Sequence, residues 1–170
     1  MSMSHKAFVF DWDNFQSELA PLLESGLRDG DTTRLVDFGD RHFDSLRDPY
    51  EGEPLGEDWS ESLGAGDVQE VADFLLTRYY DPTQDGGLGE AWLGLEDHLD
   101  SEQRQALLGQ PFGPEGAPFD PGRMGSYFQD GASVRKSLDG LRPTRRPELT
   151  GFVSLLERAV RSARGLYVTF

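Results

Sequence analysis

Residues 7–12, Ala7-Phe8-Val9-Phe10-Asp11-Trp12, alternate in character. Phe8, Phe10 and Trp12 fall on one side and Ala7, Val9 and Asp11 on the other, the period-two pattern of a short strand with one side suited to a core. Residues 166–170 (LYVTF) form a second strand-like run near the other end, and residues 126–129 (SYFQ) a third. What lies between reads mainly as helix. The pattern predicts an α+β fold, with a small sheet including the first and last strands packed against several helices. At 170 residues the chain has the length of a single globular domain spanning residues 1–170.

Working outward, Asp13 or Asn14 is placed to cap a helix carrying Phe15, Leu19, Leu22 and Leu23, with Pro21 marking a kink or a restart. Residues 32–46 read as a helix with Leu35, Val36, Phe43 and Leu46 inward. Residues 48–66, rich in glycine, proline and acids, read as a long loop of the functional or mobile kind. Asp67 caps the clearest helix: Val68, Val71, Ala72, Leu75, Leu76 and Tyr79 recur at helical spacing. Residues 85–87 turn into a helix with Leu88, Ala91, Trp92, Leu95 and Leu99 inward, then a brief one capped by Ser101 and stopped at Gly109. Residues 110–125 read as irregular. The last two helices carry Val134, Leu138 and Leu141, then Leu149, Phe152, Val153, Leu156, Val160 and Ala163.

Charge is distributed unevenly. Residues 1–100 hold 24 Asp/Glu against 6 Lys/Arg, a net of −18; residues 101–170 hold 7 against 10, a net of +3, giving the total of −15. A chain acidic in its front part is suited to meet a basic partner, and its phosphate-repelling charge disfavours nucleic acid. The absence of cysteine excludes disulfides, thiolate catalysis and cysteine-held zinc or iron–sulfur centres. The first residues lack the apolar region of a signal peptide, and no run approaches a membrane span, so a cytoplasmic protein without a membrane partner is expected.

Motifs for chemistry are sparse. Asp11-Trp12-Asp13 leaving a strand invites comparison with phosphatases that hold Mg²⁺ on two carboxylates. Position 15 is Phe15 where such enzymes carry a hydroxyl, and the phosphate-holding lysine is missing, so a strand end and helix cap is the simpler reading. His5, His42 and His98 show no metal-ligand spacing and are flanked by surface-like sequence. Ser126 lacks the second glycine of a nucleophile elbow. Gly86-Gly87-Leu88-Gly89 lacks phosphate-loop spacing and reads as a turn. No cofactor and no metal site is expected. Arginines 142, 145, 146, 158, 161 and 164 form a basic group near the end.

The densest acidic group is Asp37, Asp40, Asp44 and Asp48, continued by Glu51, Glu53, Glu57, Asp58 and Glu61. Asp37, Asp40 and Asp44 follow i, i+3, i+7 spacing and can share one helix face. A solvated surface is one reading of the group and a docking face for a basic protein the other.

Residues 90–95 (EAWLGL), then Leu108-Gly109, Met124-Gly125-Ser126-Tyr127-Phe128, Val134 and Leu138 resemble the YfbM-like family of small bacterial proteins. That family shows an AW-x-x-L helix, a glycine-rich middle, a G-x-Y step and a closing helix that runs into a hydrophobic strand. The resemblance implies an α+β fold and an intracellular bacterial origin, and brings no established activity. The Asp11-Trp12-Asp13 start and the acidic loop depart from its pattern.

The sequence therefore leads to a non-enzymatic acidic binding protein, an immunity or antitoxin-type inhibitor of a basic effector such as a toxin. Its binding residues are Asp37, Asp40, Asp44, Glu51, Glu53, Glu57 and Asp58. The alternative is a small-ligand binder or metal-dependent phosphoryl-transfer or hydrolytic enzyme built on Asp11, Asp13, Arg123 and Tyr127.

Overall fold

The computed structural model describes residues 3–63 and 66–170. In chain order its elements are β1 (Lys6–Phe10), α1 (Trp12–Glu18), α2 (Ala20–Asp29), α3 (Thr33–His42), α4 (Val68–Leu76), α5 (Ala91–Leu95), α6 (Ser101–Leu108), β2 (Ser126–Gln129), α7 (Gly131–Leu141), α8 (Thr150–Arg161) and β3 (Gly165–Thr169). Short 3-10 turns at Phe43–Ser45, Glu96–His98, Arg142–Thr144 and Pro147–Leu149 join some of them. The fold is α+β. The chain divides into two compact units, one of residues 1–13, 84–111 and 122–170, the other of residues 14–83 and 112–121.

The first unit holds the sheet. Its order is β1-β3-β2, all antiparallel, so the first and last strands pair directly, Lys6 with Thr169 through to Phe10 with Gly165. Ser126–Gln129 pairs with the other edge of β3. Alternation divides the side chains of the sheet between two faces. Ala7, Leu166 and Val168 join a core of Trp92, Leu95, Leu107, Val134, Leu138, Phe152, Leu155 and Leu156 from α5 to α8. The other face is aromatic: Phe128 stacks on Tyr167 at 5.0 Å, and Phe10 meets Phe128 edge-on at 5.4 Å. Both sides of the first strand are thus buried, where its sequence marked only the Phe8 and Phe10 side for a core. Fully burying one such Leu or Phe contributes roughly 1.5–3 kcal/mol, which ties the short sheet to its helices.

In the second unit α3 packs with α2 and α4, and Leu19, Leu23, Leu35, Phe38, Leu75 and Leu76 are buried. Phe15 meets Tyr79 and Phe112 edge-on at 5.7 and 5.3 Å. Gln69 holds the returning segment: its Nε2 donates to the Pro118 carbonyl at 2.9 Å, and the Asp120 amide donates to its Oε1 at 2.7 Å. Residues 110–125, which read as a single irregular stretch, are therefore split. Gln110 pairs with Phe128 beside β2, while residues 112–121 belong to the second unit.

Several boundaries differ from the sequence reading. Trp12 opens α1, so Asp13 lies inside the first turn and does not cap it. Pro21 marks a restart, at the second position of α2. Helix α3 stops at His42; Phe38 supplies the burial expected of Phe43, which is only half-buried. Asp67 caps α4 as expected, accepting from the Glu70 amide, but Tyr79 lies beyond the helix end. Asp100 and Gln103 form a reciprocal capping box at α6, so Ser101 is the first helical residue instead of the cap. Ala163, expected inward, is exposed with φ 55°, because the chain turns there to enter β3.

Candidate acidic docking site

The division of the chain sharpens the charge asymmetry. The second unit holds 19 Asp/Glu and 5 Lys/Arg, a net of −14; the first holds 12 and 11, a net of −1, completing −15. Acids at positions 84–100 belong to the balanced unit, so the acidic part of the molecule is the second unit and not the first hundred residues.

Helix α3 supplies the first part of the site. At 100° per residue, Asp37, Asp40 and Arg41 lie on the stripe opposite Leu35, Phe38 and Gly39. Burial of the apolar stripe turns the carboxylates outward, and Asp37, Asp40 and Asp44 are all exposed. Asp37 pairs with Arg41 at 3.4 Å, both side chains well exposed, a contact of small energy.

The acidic loop is ordered through its described part. Asp48 Oδ1 accepts from the Tyr50 and Glu51 amides at 2.8 and 3.0 Å, the Asp48 amide donates to the Glu53 carbonyl, and Arg47 pairs with Pro54. This turn presents Glu51 and Glu53 to solvent. Trp59 then anchors the loop. Its indole is 3% exposed and lies so close to Gly39 that a Cβ there would be 2.0 Å from Cζ2. Its Nε1 donates to Asp40 Oδ1 at 3.0 Å. The anchor holds exposed Glu57 and Asp58, its near neighbours in the chain, beside the Asp40 end of α3. Gly64 and Ala65 lie outside the described residues.

Tyr50 precedes Glu51 in the loop, is acted on by Asp48, Glu70 and Asp73, and is 74% exposed. Its hydroxyl end turns inward and donates to Oδ2 of buried Asp73 at 3.2 Å. Loss of water there, with the charges of Asp73, Glu70 and Asp48, pushes its pKa up to about 12. It remains a neutral phenol at physiological pH, an aromatic body with a polar tip of the kind enriched in protein interfaces.

The alternative constellation is not assembled. Asp11 follows the Phe10–Gly165 rung, and its Oδ2 lies 4.0 Å from Arg164. Asp13 is exposed on α1. Tyr127 pairs with Val168, three rungs away, about 10 Å along the strands, and two strand spacings across, roughly another 10 Å. Arg123 lies past Ser126, near the sheet end where Gly122 approaches the Phe170 carbonyl. The Asp11, Asp13, Arg123 and Tyr127 grouping is therefore corrected: antiparallel register sets Asp11 and Arg123 toward opposite ends. Ser126 Oγ lies 3.0 Å from Thr169 Oγ1. Among the described residues no group of three or more His, Cys, Asp or Glu is arranged to hold a metal ion. No described helix is long and apolar enough to cross a membrane.

Two features escaped the sequence. A cleft of about 690 Å³ lies between α6 and α7 over β2, lined by Gln103, Gln105, Gln129, Lys136 and Ser137 among others. Its polar groups are largely spent on one another. Gln129 Nε2 donates to the Ala106 carbonyl and its Oε1 accepts from Ser137; Gln105 donates to the Gly109 carbonyl; Gln103 serves the capping box. The polar stripe Ser133, Lys136, Ser137 and Gly140 at helical spacing on α7 was its sequence signal. The second is His5, which is fully buried despite its surface-like flanks. Its Nε2–H donates to the Leu107 carbonyl at 2.8 Å, and its Nδ1 accepts from the Leu88 amide at 3.1 Å. Burial lowers its pKa, against the raising influence of the Leu107 carbonyl and Asp85.

Compared with known proteins, no family model matches the chain, and no curated protein and no solved structure matches it.

Proposed function

We propose that this protein is a non-enzymatic acidic binding protein, of the immunity or antitoxin type, whose second unit docks a basic protein partner. The observation that carries the reading is the segregation of net −14 onto one compact unit. Its acids project from α3 and from a loop that Trp59 fastens beside it. The second strand of support is Tyr50, exposed beside Glu51 in that loop as a contact of the size and chemistry that interface hot spots favour. A nuclease or other basic effector would find carboxylates where it otherwise meets phosphate. The YfbM-like resemblance of residues 89–141 adds no activity to this reading.

The test is capture from native bacterial extract by the immobilised protein, in parallel with the Glu51→Gln, Glu53→Gln, Glu57→Gln, Asp58→Asn variant. The expected result is one basic protein retained by the wild type in dilute salt and lost by the variant. Retention of the same partner by both, or an acidic partner, overturns the reading.

A further inference from the structure

The glycine turn that looked like punctuation in the sequence is built onto the sheet. Residues 85–89 run along the outer edge of β1 as a strap. The Gly86 amide donates to the Ala7 carbonyl at 2.8 Å, and the Ala7 amide donates to Asp85 Oδ1 at 3.0 Å. His5 and Gly89 exchange a pair of backbone hydrogen bonds at 3.1 and 2.9 Å. Gly87 lies so near that a Cβ would come within 2.1 Å of the His5 carbonyl oxygen.

One further bond crosses this contact, and it depends on a titratable group. Leu88 donates its amide to His5 Nδ1, which accepts only in the neutral ring with its proton on Nε2, where the Leu107 carbonyl holds it. A second proton would set an Nδ1–H against the Leu88 N–H across 3.1 Å. It would also place a cation in a fully buried site bounded by Trp92, Phe152 and Phe170 at 5.4–5.6 Å between ring centres. We propose that His5 is a proton-operated latch, whose protonation releases residues 85–89 from β1 and bares the edge of that strand.

The surroundings leave His5 as the controlling group. The strap and the turn after it carry Asp85 and Glu90; α6 carries Glu102 and Arg104, and Arg104 lies over Trp92 and pairs with Glu96 at 3.6 Å. Lys6 adjoins His5 in the chain, and α8 carries Glu157, Arg158 and Arg161. Among these, Asp85 is the charge that acts on the ring, and it favours the proton. Burial outweighs it, so the latch opens below pH 6.5. A bared β1 edge presents unpaired backbone groups, the usual template for pairing with another strand.

The experiment follows the His5 ring and the strap amides together by NMR between pH 7.5 and 5, with amide exchange corrected for the intrinsic pH dependence. The expected result is a ring midpoint below 6.5. Opening at Gly86, Leu88 and Gly89 should grow up to tenfold per pH unit between 6.5 and that midpoint, while amides of α8 hold their protection. In Asp85→Asn, which keeps an acceptor oxygen but removes the charge, the midpoint should move to lower pH and the opening with it. In His5→Asn, opening should be independent of pH. Titration of the ring without loosening of the strap overturns the latch, as does loosening that spreads equally through α8 and β3. Persistence of the pH response in His5→Asn also overturns it.

Discussion

Replacing Gly39 by alanine tests how the acidic site is held together. Alanine favours helix over glycine by about 1 kcal/mol, so on propensity alone the change in α3 stabilises. Here the new Cβ would lie 2.0 Å from Trp59 Cζ2, 2.6 Å from Cη2 and 2.8 Å from Cε2, against ordinary contacts beyond 3.4 Å. The indole must move by more than 1 Å, and the 3.0 Å bond from Nε1 to Asp40 cannot survive that shift. A hydrogen bond to a charged acceptor contributes roughly 1.5–3 kcal/mol, and forcing an overpacked contact costs about 1–3 kcal/mol. Subtracting the propensity gain leaves a net loss of about 1.5–5 kcal/mol. Gly140 on α7 is the control: a Cβ there meets nothing within 4 Å, so Gly140→Ala should stabilise by about 0.5–1 kcal/mol. Urea unfolding followed by circular dichroism measures both. Emission from Trp59, read in a Trp12→Phe, Trp92→Phe background, should shift to the red in Gly39→Ala as the ring leaves its buried site. A Gly39→Ala protein as stable as Gly140→Ala, with unshifted emission, would refute the anchor and with it the joining of helix and loop acids.

Three other perturbations have worked signs. Because the folded-state pKa of His5 is lowered, the unfolded chain binds the extra proton first as pH falls. Its contribution is fully present above about pH 6.5 and is lost toward the folded-state pKa, at up to about 1.4 kcal/mol per unit; urea midpoints from pH 7.5 to 5 check this, and His5→Asn should flatten that portion. At Glu18, burial works to raise the pKa, but Arg78 at 3.3 Å and the Tyr79 hydroxyl at 3.0 Å more than reverse it. Its stabilisation is therefore present above about pH 4.5 and lost as pH falls through the lowered value. With solvent screening it stays under about 1 kcal/mol, so Glu18→Gln should shift the thermal midpoint by only a few degrees. Gly87→Ala would drive a Cβ into the His5 backbone, which no side-chain rotation relieves, and should cost at least about 2 kcal/mol by urea unfolding.

Much of the fold was legible because its signals are local. Alternation in residues 7–12, the spacing of Val68 to Leu76 with Asp67 before them, and the apolar run before the chain's last residue each correspond to an observed element. The failures have physical reasons. Helical periodicity could not say that Ala163 turns left-handed or that Tyr79 packs beyond its helix, because chain reversal and tertiary contact decide both. The polar neighbours of His5 in the chain point to a surface site, yet it is fully buried. Its burial depends on Leu107 and Leu88, about 100 and 80 residues away. Among the site residues, the outward placing of Asp37 and Asp40 on α3 is readable from spacing, whereas Asp44, set on the same helix face by that spacing, falls past the helix end in the turn Phe43–Ser45. The placing of Glu57 and Asp58 beside Asp40 is not readable, since it rests on the fit of Trp59 against a glycine. The pairing of Asp11 with Arg123 and Tyr127 failed on strand register, which motif proximity does not reveal.

The proposed function requires that carboxylates of the second unit draw in a cationic protein. The direct measurement is the association rate of the captured partner, by stopped flow, from 0.05 to 0.5 M salt. Steering by these acids predicts a fall of at least about tenfold across that range, as the screening length shrinks from roughly 14 to 4 Å. The Glu51→Gln, Glu53→Gln, Glu57→Gln, Asp58→Asn variant should begin near the high-salt rate. A rate that is the same at both ends of the range and in both proteins would contradict the account.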